Sequence, residues 1–377
     1  MNLYKSTTIA CLPFVAFSLP LGLGNNLAQP IALLILTPLL IYFTSGLLAS
    51  SLLITITATT SIASLMEYGS GASGYQLLRS GIPFLWFCII LGGYKNGYKE
   101  LLQKFEQIPN SKKIIHNSIL IFSIGQAAQV ILFYIGSDLA NAASASEDGQ
   151  RVLLFPTTAT IIFFFYALCK RNHFLSLLLG LIILASGSKA MLLASLAMIF
   201  LSLIYLRKPK KIIISTAIGT IIASLLLTVN PLAIERITGF ISEEKGVDVT
   251  REYEIFHARK SFLSSPTTVL VGNGLAAPLT PGVPTPDDRW FENSKFDIEN
   301  AYWSLIAKLG IVGCVLLAIL FTRLPKDIVT ATGVLTLMVF GFKTSYQFFT
   351  TFDGSLLLLA TMLVRSILIS KSTVAKK

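Results

Sequence analysis

The feature that most restricts this chain is a succession of long, almost uncharged apolar runs. "IALLILTPLLIYF", "FLSLLLGLIILA", "MLLASLAMIFLSLIYL" and "IIISTAIGTIIASLLLTV" each approach the roughly 20 residues that cross a bilayer as helix. Charged residues make up 13% of the chain, against about 25% in soluble domains. So little charge cannot cover a soluble surface, so lipid is the solvent. A backbone in lipid must satisfy its own hydrogen bonds, which leaves helices or closed barrels. A barrel needs alternating segments of about 10 residues, and these runs are continuous. The expected fold is therefore all-α: a polytopic integral membrane protein, one transmembrane domain over 1–377, with about twelve transmembrane helices.

The spans are expected near 6–23, 28–45, 47–66, 78–94, 114–136, 151–169, 173–187, 189–206, 212–230, 300–322, 327–349 and 353–370. The first is read as a retained span, since no small-residue cleavage site follows it. Charge placement tests the count. With the N-terminus inside, Lys5, Lys95, Lys99, Lys104, Lys112, Lys113, Lys170, Arg171, Arg207, Lys208, Lys210, Lys211, Arg323, Lys326 and the C-terminal lysines share one side. Lys and Arg mark the cytoplasmic side. Both termini are thus expected in the cytoplasm. The net charge of +11 follows from this bias and does not imply nucleic acid as a partner. Cys11, Cys88, Cys169 and Cys314 lie in apolar runs, with neither metal-ligand nor disulfide spacing, and read as packing or lipid-facing residues.

This topology puts 231–298 outside as one large loop. Loops of that length are uncommon and usually functional or disordered. Within it, "EYEIFHARKSFL" places Ile255, Phe256, Phe262 and Leu263 at near-helical spacing, which predicts one or two short helices on the outer face. Trp290 and Phe291 add anchors, and "TPGVPTPDD" reads as a mobile flap. "GNG" at 272–274 reads as a turn, since no Rossmann unit or Walker lysine follows. Asp287 and Asp288 read as a solvated turn, and no metal site is expected.

Several cations lie where charge is costly. Arg79 opens the fourth span, Lys189 sits in the turn "ASGSKAM", Lys308 lies about two turns into the tenth span, and Lys343 lies in the outer half of the eleventh. Lys or Arg at a helix centre costs about 2.5–3.5 kcal/mol on insertion scales. Lys308 and Lys343 are therefore functional candidates. The structural alternative is that such a side chain snorkels or pairs with a nearby carbonyl or hydroxyl, and that reading is preferred for Arg365 near the inner end. Arg79, Lys189, Arg251, Arg259 and Lys343 could together form a cationic pocket at the outer leaflet, suited to phosphate.

Three stretches carry a resemblance: "ILASGSKAMLLASLAMIFL" with Lys189, the segment from Arg251 to Gly272 and Gly274, and "IENAYWSLIAKLGIVGCVLL" with Gly310 and Gly313. In this order they resemble the O-antigen polymerase and O-antigen ligase superfamily of bacterial envelope glycosyltransferases. The family most often has Arg where this chain has Lys189. The ligase branch usually has His-Asn where this chain has Glu299-Asn300, which favours the polymerase branch. The resemblance implies a bacterial inner-membrane enzyme that joins undecaprenyl-pyrophosphate-linked oligosaccharides at the periplasmic face, without metal or cofactor. Its implied partners are that substrate, membrane lipids and a chain-length regulator protein. The reaction needs a base for the acceptor hydroxyl and cations for the leaving diphosphate. The candidates are Glu299, Arg251 and His257 for catalysis, and Arg79, Lys189, Arg259, Lys343 and Lys308 for the pyrophosphate. Glu299 could equally be a helix cap. The alternatives are an O-antigen ligase and, in another class, a flippase or transporter.

Overall fold

The computed structural model describes residues 11, 14–15, 47–68, 74–106, 110–135, 143–144, 152–153, 156–186, 188–206, 246–279, 298, 300–341 and 352–374. These residues form eleven helices and one two-residue ladder. In chain order the helices are α1 (Leu47–Tyr68), α2 (Gly74–Glu106), α3 (Ser111–Tyr134), α4 (Thr157–Lys170), α5 (His173–Ala185) and α6 (Lys189–Leu206). They continue with α7 (Gly246–Phe262), α8 (Pro266–Val271), α9 (Ala301–Thr322), α10 (Ile328–Gly341) and α11 (Asp353–Val374). Nine of the expected spans coincide with helices in this set. Those at 6–23, apart from Cys11, Phe14 and Val15, and at 28–45 and 212–230 lie outside the described residues.

Among the described residues, Leu77–Tyr94, Ser111–Tyr134 and Ala301–Thr322 are long and apolar enough to cross a membrane, and α4, α5, α10 and most of α6 are shorter apolar helices. The chain is a membrane protein by this measure.

Two helices form the centre. Nearly every side chain from Thr158 to Ala167 of α4 is buried, as is the run from Phe352 to Val364 at the start of α11. A helix apolar on every side has to be buried by other helices or lipid, and α4 is enclosed by α5, α6, α10 and α11. Phe14, Phe122 and Phe163 meet edge to face at centroid distances of 5.1 to 6.2 Å. The basic pair Lys170–Arg171 closes α4. Arg171 takes a left-handed conformation (φ 55°), and Asn172 Oδ1 accepts from Leu175 N at 3.1 Å to cap α5. Cys11, Cys88 and Cys169 are buried packing residues.

Three details differ from the sequence expectation. The sixth span was expected from residue 151, but Ala143–Ser144 pair antiparallel with Val152–Leu153, and the helix starts only after Pro156. Proline has no N–H to give and suits a helix entrance. Arg365 does not merely snorkel: its Nε meets Asp327 Oδ2 at 2.6 Å. Asp327 also accepts from Thr330 N at 2.9 Å and so caps α10. The third difference is in α9. It is interrupted at Gly310 (φ 64°, ψ −176°), so the expected span 300–322 is two half-helices.

Candidate functional site

The break in α9 has a chemical consequence. Ala307 and Lys308 would ordinarily give their carbonyls to N–H groups four residues on. Gly310 turns those carbonyls out of the ladder, and an unsatisfied carbonyl at membrane depth is costly. The segment after α8 supplies the donors: Asn273 N bonds to Ala307 O at 2.8 Å and Gly274 N to Lys308 O at 3.0 Å. Asn273 Nδ2 adds bonds to Ala307 O at 3.2 Å and to Ser261 Oγ on α7 at 3.0 Å. On the other side, Leu275 N donates to Ser61 Oγ of α1 at 2.9 Å. Residues 272–277 are all buried. "GNG" is therefore more than a turn. It is an inserted strip of backbone wedged between α1 and the break in α9.

Glycine is required here by contact as well as by conformation. Gly272, Gly274 and Gly310 all have positive φ. A Cβ at Gly272 would lie 2.3 Å from Lys308 O, one at Gly310 would lie 2.4 Å from Gly272 N, and one at Gly274 would lie 2.6 Å from Thr60 O. The two glycine motifs at 272–274 and 310 thus touch each other. The capping box of Ser265 and Thr268, with Pro266 in the first turn, fixes α8 and delivers the chain to this point.

Lys308 is fully buried. Its Nζ donates to Leu275 O at 3.4 Å, the carbonyl pairing anticipated as its structural role. One turn earlier on the same face, Ser304 Oγ is buried with no hydrogen-bond partner among the described residues. Leu275 also contacts the start of α2: a Cβ at Gly81 would lie 3.8 Å from it. Arg79, two residues before, is exposed. Its carbonyl is the one that Pro83 cannot bond, since proline lacks the N–H.

Helix α7 lies against α9, with Ala258, Leu279, Ile298 and Ala307 forming a small apolar cluster beside Phe262 and Trp303. The helices expected within 231–298 are present as α7 and α8. The four apolar residues that suggested them do not share a face, however: Phe262 packs inward while Phe256 and Leu263 are exposed. His257 is half-buried on α7, its ring 4.3 Å from that of Tyr253 and 5.3 Å from that of Phe256. Burial, and then the Lys260 ammonium, push its pKa below the ordinary imidazole value. Arg259 is exposed on the same helix.

His257 and Arg259 therefore lie on α7, and Lys308 holds the inserted strip that follows α8, while Arg79 is exposed on α2. Arg251 lies in α7 and Lys189 begins α6, but their side chains are outside the described set. Glu299 and Lys343 lie outside the described residues, as do Trp290, Phe291, Asp287, Asp288 and the proline-rich stretch. Among the described residues no cluster of His, Cys, Asp and Glu could hold a metal.

Sequence reasoning missed Asp353, which is buried at the start of α11. Its Oδ1 accepts from Thr158 N at 3.2 Å and Thr158 Oγ1 at 3.0 Å. Pro156, the capping residue of α4, makes no side-chain cap, so Asp353 caps α4 from a neighbouring helix. An acid immediately before the apolar run "GSLLLLATMLV" was the available signal. Glu254, buried on the inner side of α7, was likewise overlooked.

A scan against protein-family models finds no match, and neither the search of curated proteins nor that of solved structures finds a similar chain.

Proposed function

We propose that this protein is a polymerase of bacterial surface polysaccharide, which joins oligosaccharide units carried on undecaprenyl pyrophosphate at the outer face of the inner membrane. One observation carries the reading: the Gly272–Gly310 contact. It unites the outer-loop motif with the re-entry helix, two of the three stretches on which the family resemblance rests. It does so beside a helix that offers an imidazole and exposed cations.

In the proposed reaction an acceptor sugar hydroxyl attacks the anomeric carbon of the donor glycan. The C–O bond to the diphosphate breaks, and the electron pair leaves with the undecaprenyl diphosphate. Arg251, Arg259, Arg79 and Lys189 stabilise that developing charge. The hydroxyl proton goes to Glu299 or to His257, whose lowered pKa keeps it neutral and able to accept near neutral pH. Lys308 holds the inserted strip in the resting structure.

Glu299→Gln should abolish polymer while leaving the amount of folded protein nearly unchanged, read from surface glycan ladders and from protein in membranes. Wild-type ladders from that variant would remove the carboxylate from the mechanism and leave His257 as the base. The broken helix favours a second reading, a transporter, since discontinuous helices line transport sites. A deletion strain separates them. Single capped repeats on the surface mark a polymerase, unattached polymer a ligase, and lipid-linked units held in the cytoplasm a flippase.

A further inference from the structure

Helix α7 has two opposite faces. Glu254, Ala258 and Ser261 form the side turned to the protein; the first two are buried, and Ser261 is tied to Asn273. At about 100° per residue, Phe256 and Leu263 lie opposite them. These two are 60% and 55% exposed. Arg259 falls to one side of this apolar ridge and Lys260 to the other, and both are exposed; Glu252, exposed one turn before Phe256, lies on the same face, so the ridge is apolar only from Phe256 onward and its three charges leave it net positive by one. Leu270, on the adjoining α8, is 54% exposed. An apolar ridge edged by cations is the pattern of a helix lying in the interface of a bilayer. The aliphatic stems of Arg and Lys can lie along apolar surface while their charged ends reach phosphate. The opposite face of the same helix packs on α9, a helix long enough to span the membrane, which brings α7 beside the bilayer.

We propose that this face of α7 is a phospholipid-docking surface. Phe256, Leu263 and Leu270 enter the acyl boundary of the outer leaflet, while Arg259 and Lys260 bind lipid phosphates. Charge complementarity selects lipid over a second protein, because two cations flanking large apolar side chains match a phosphate above an acyl chain. The inference does not rest on the polymerase reading, although it gives Arg259 a lipid phosphate in place of the diphosphate assigned to it there.

The test uses the full chain reconstituted in nanodiscs of phosphatidylcholine and phosphatidylglycerol, with wild type as the baseline for the native tryptophans. The fluorescence added by Phe256→Trp, and separately by Leu263→Trp, should be lost in lipids brominated near the top of the acyl chain and retained in aqueous iodide. Adding Arg259→Glu and Lys260→Glu to Phe256→Trp should weaken the bromine quenching, because the anionic headgroups would then repel the helix. Quenching of both added tryptophans by iodide and not by bromine would overturn the proposal in favour of a solvated face. Quenching by neither agent would overturn it in favour of a protein partner, such as a second copy of the chain.

Discussion

Helices α4 and α9 are both strongly apolar, yet they satisfy their backbones in different ways. Helix α4 runs unbroken through the centre and needs outside help only at its N-terminus, where Asp353 accepts from Thr158. Helix α9 breaks at Gly310 and needs help in its middle, where the backbone of 273–274 takes up the stranded carbonyls. Continuity makes α4 a scaffold. The break makes α9 dependent on a segment some 35 residues away in sequence, and so couples residues 272–275 to a helix apolar enough to cross a membrane. The buried Lys308 lies in the dependent helix, and α7, which carries His257 and Arg259, packs against it.

The contrast predicts the largest effect at the break. Gly310→Val adds strain at a positive φ and drives a side chain into the backbone of 270–272, so it should cost about 3–5 kcal/mol. Gly272→Ala should behave similarly. Either would appear as loss of monodisperse protein in detergent. By comparison, Ala159→Gly within continuous α4 should cost only about 1 kcal/mol. Equal losses at both places would remove the distinction between the two helices.

Next come the side chains that help each backbone. Asp353→Ala strands the Thr158 N–H, leaving Thr158 Oγ1 only the Asp353 backbone carbonyl, and should lower stability by about 1–3 kcal/mol, whereas Asp353→Asn keeps an acceptor and should lower it less. Lys308→Met should lower the thermal midpoint and speed hydrogen exchange at 272–275, because Leu275 O loses its donor. A variant with unaltered stability and exchange but no polymer would instead make Lys308 a substrate ligand.

The smallest effect is expected from pH at His257. Its pKa is lowered by burial and by Lys260, so protonation is disfavoured in the folded protein. Its contribution to stability is therefore complete above the ordinary imidazole value and is lost as the pH falls from there through the lowered value of the folded protein. If His257 is the base, activity should hold steady down to the ordinary imidazole value and fall only below it. His257→Gln should then remove that acidic limb; an unchanged profile would exclude the residue as the titrating base.

Much of the architecture could be read from the chain directly. The runs around 47–66, 114–136 and 189–206 became α1, α3 and α6 because in lipid a continuous apolar run has little choice but to be helix. A helix was legible in "EYEIFHARKSFL", although the apolar spacing that suggested it did not become one buried face. The sequence also marked Lys308 as costly and named a carbonyl as one way to meet that cost. It could not say that the carbonyl would be Leu275's, that "GNG" would be buried, or that Gly272 would rest on Gly310. Those depend on which backbone groups are left unsatisfied by a helix break, and on which distant segment has room to reach them. A glycine at 310 reads alike in a straight helix and a broken one; its φ is set by the neighbours that press on it. Asp353 is the same case, an acid at a helix start whose hydrogen bonds go to a helix nearly two hundred residues earlier. Local periodicity fixed the helices, while the pairing of their unsatisfied polar groups was decided by packing in three dimensions.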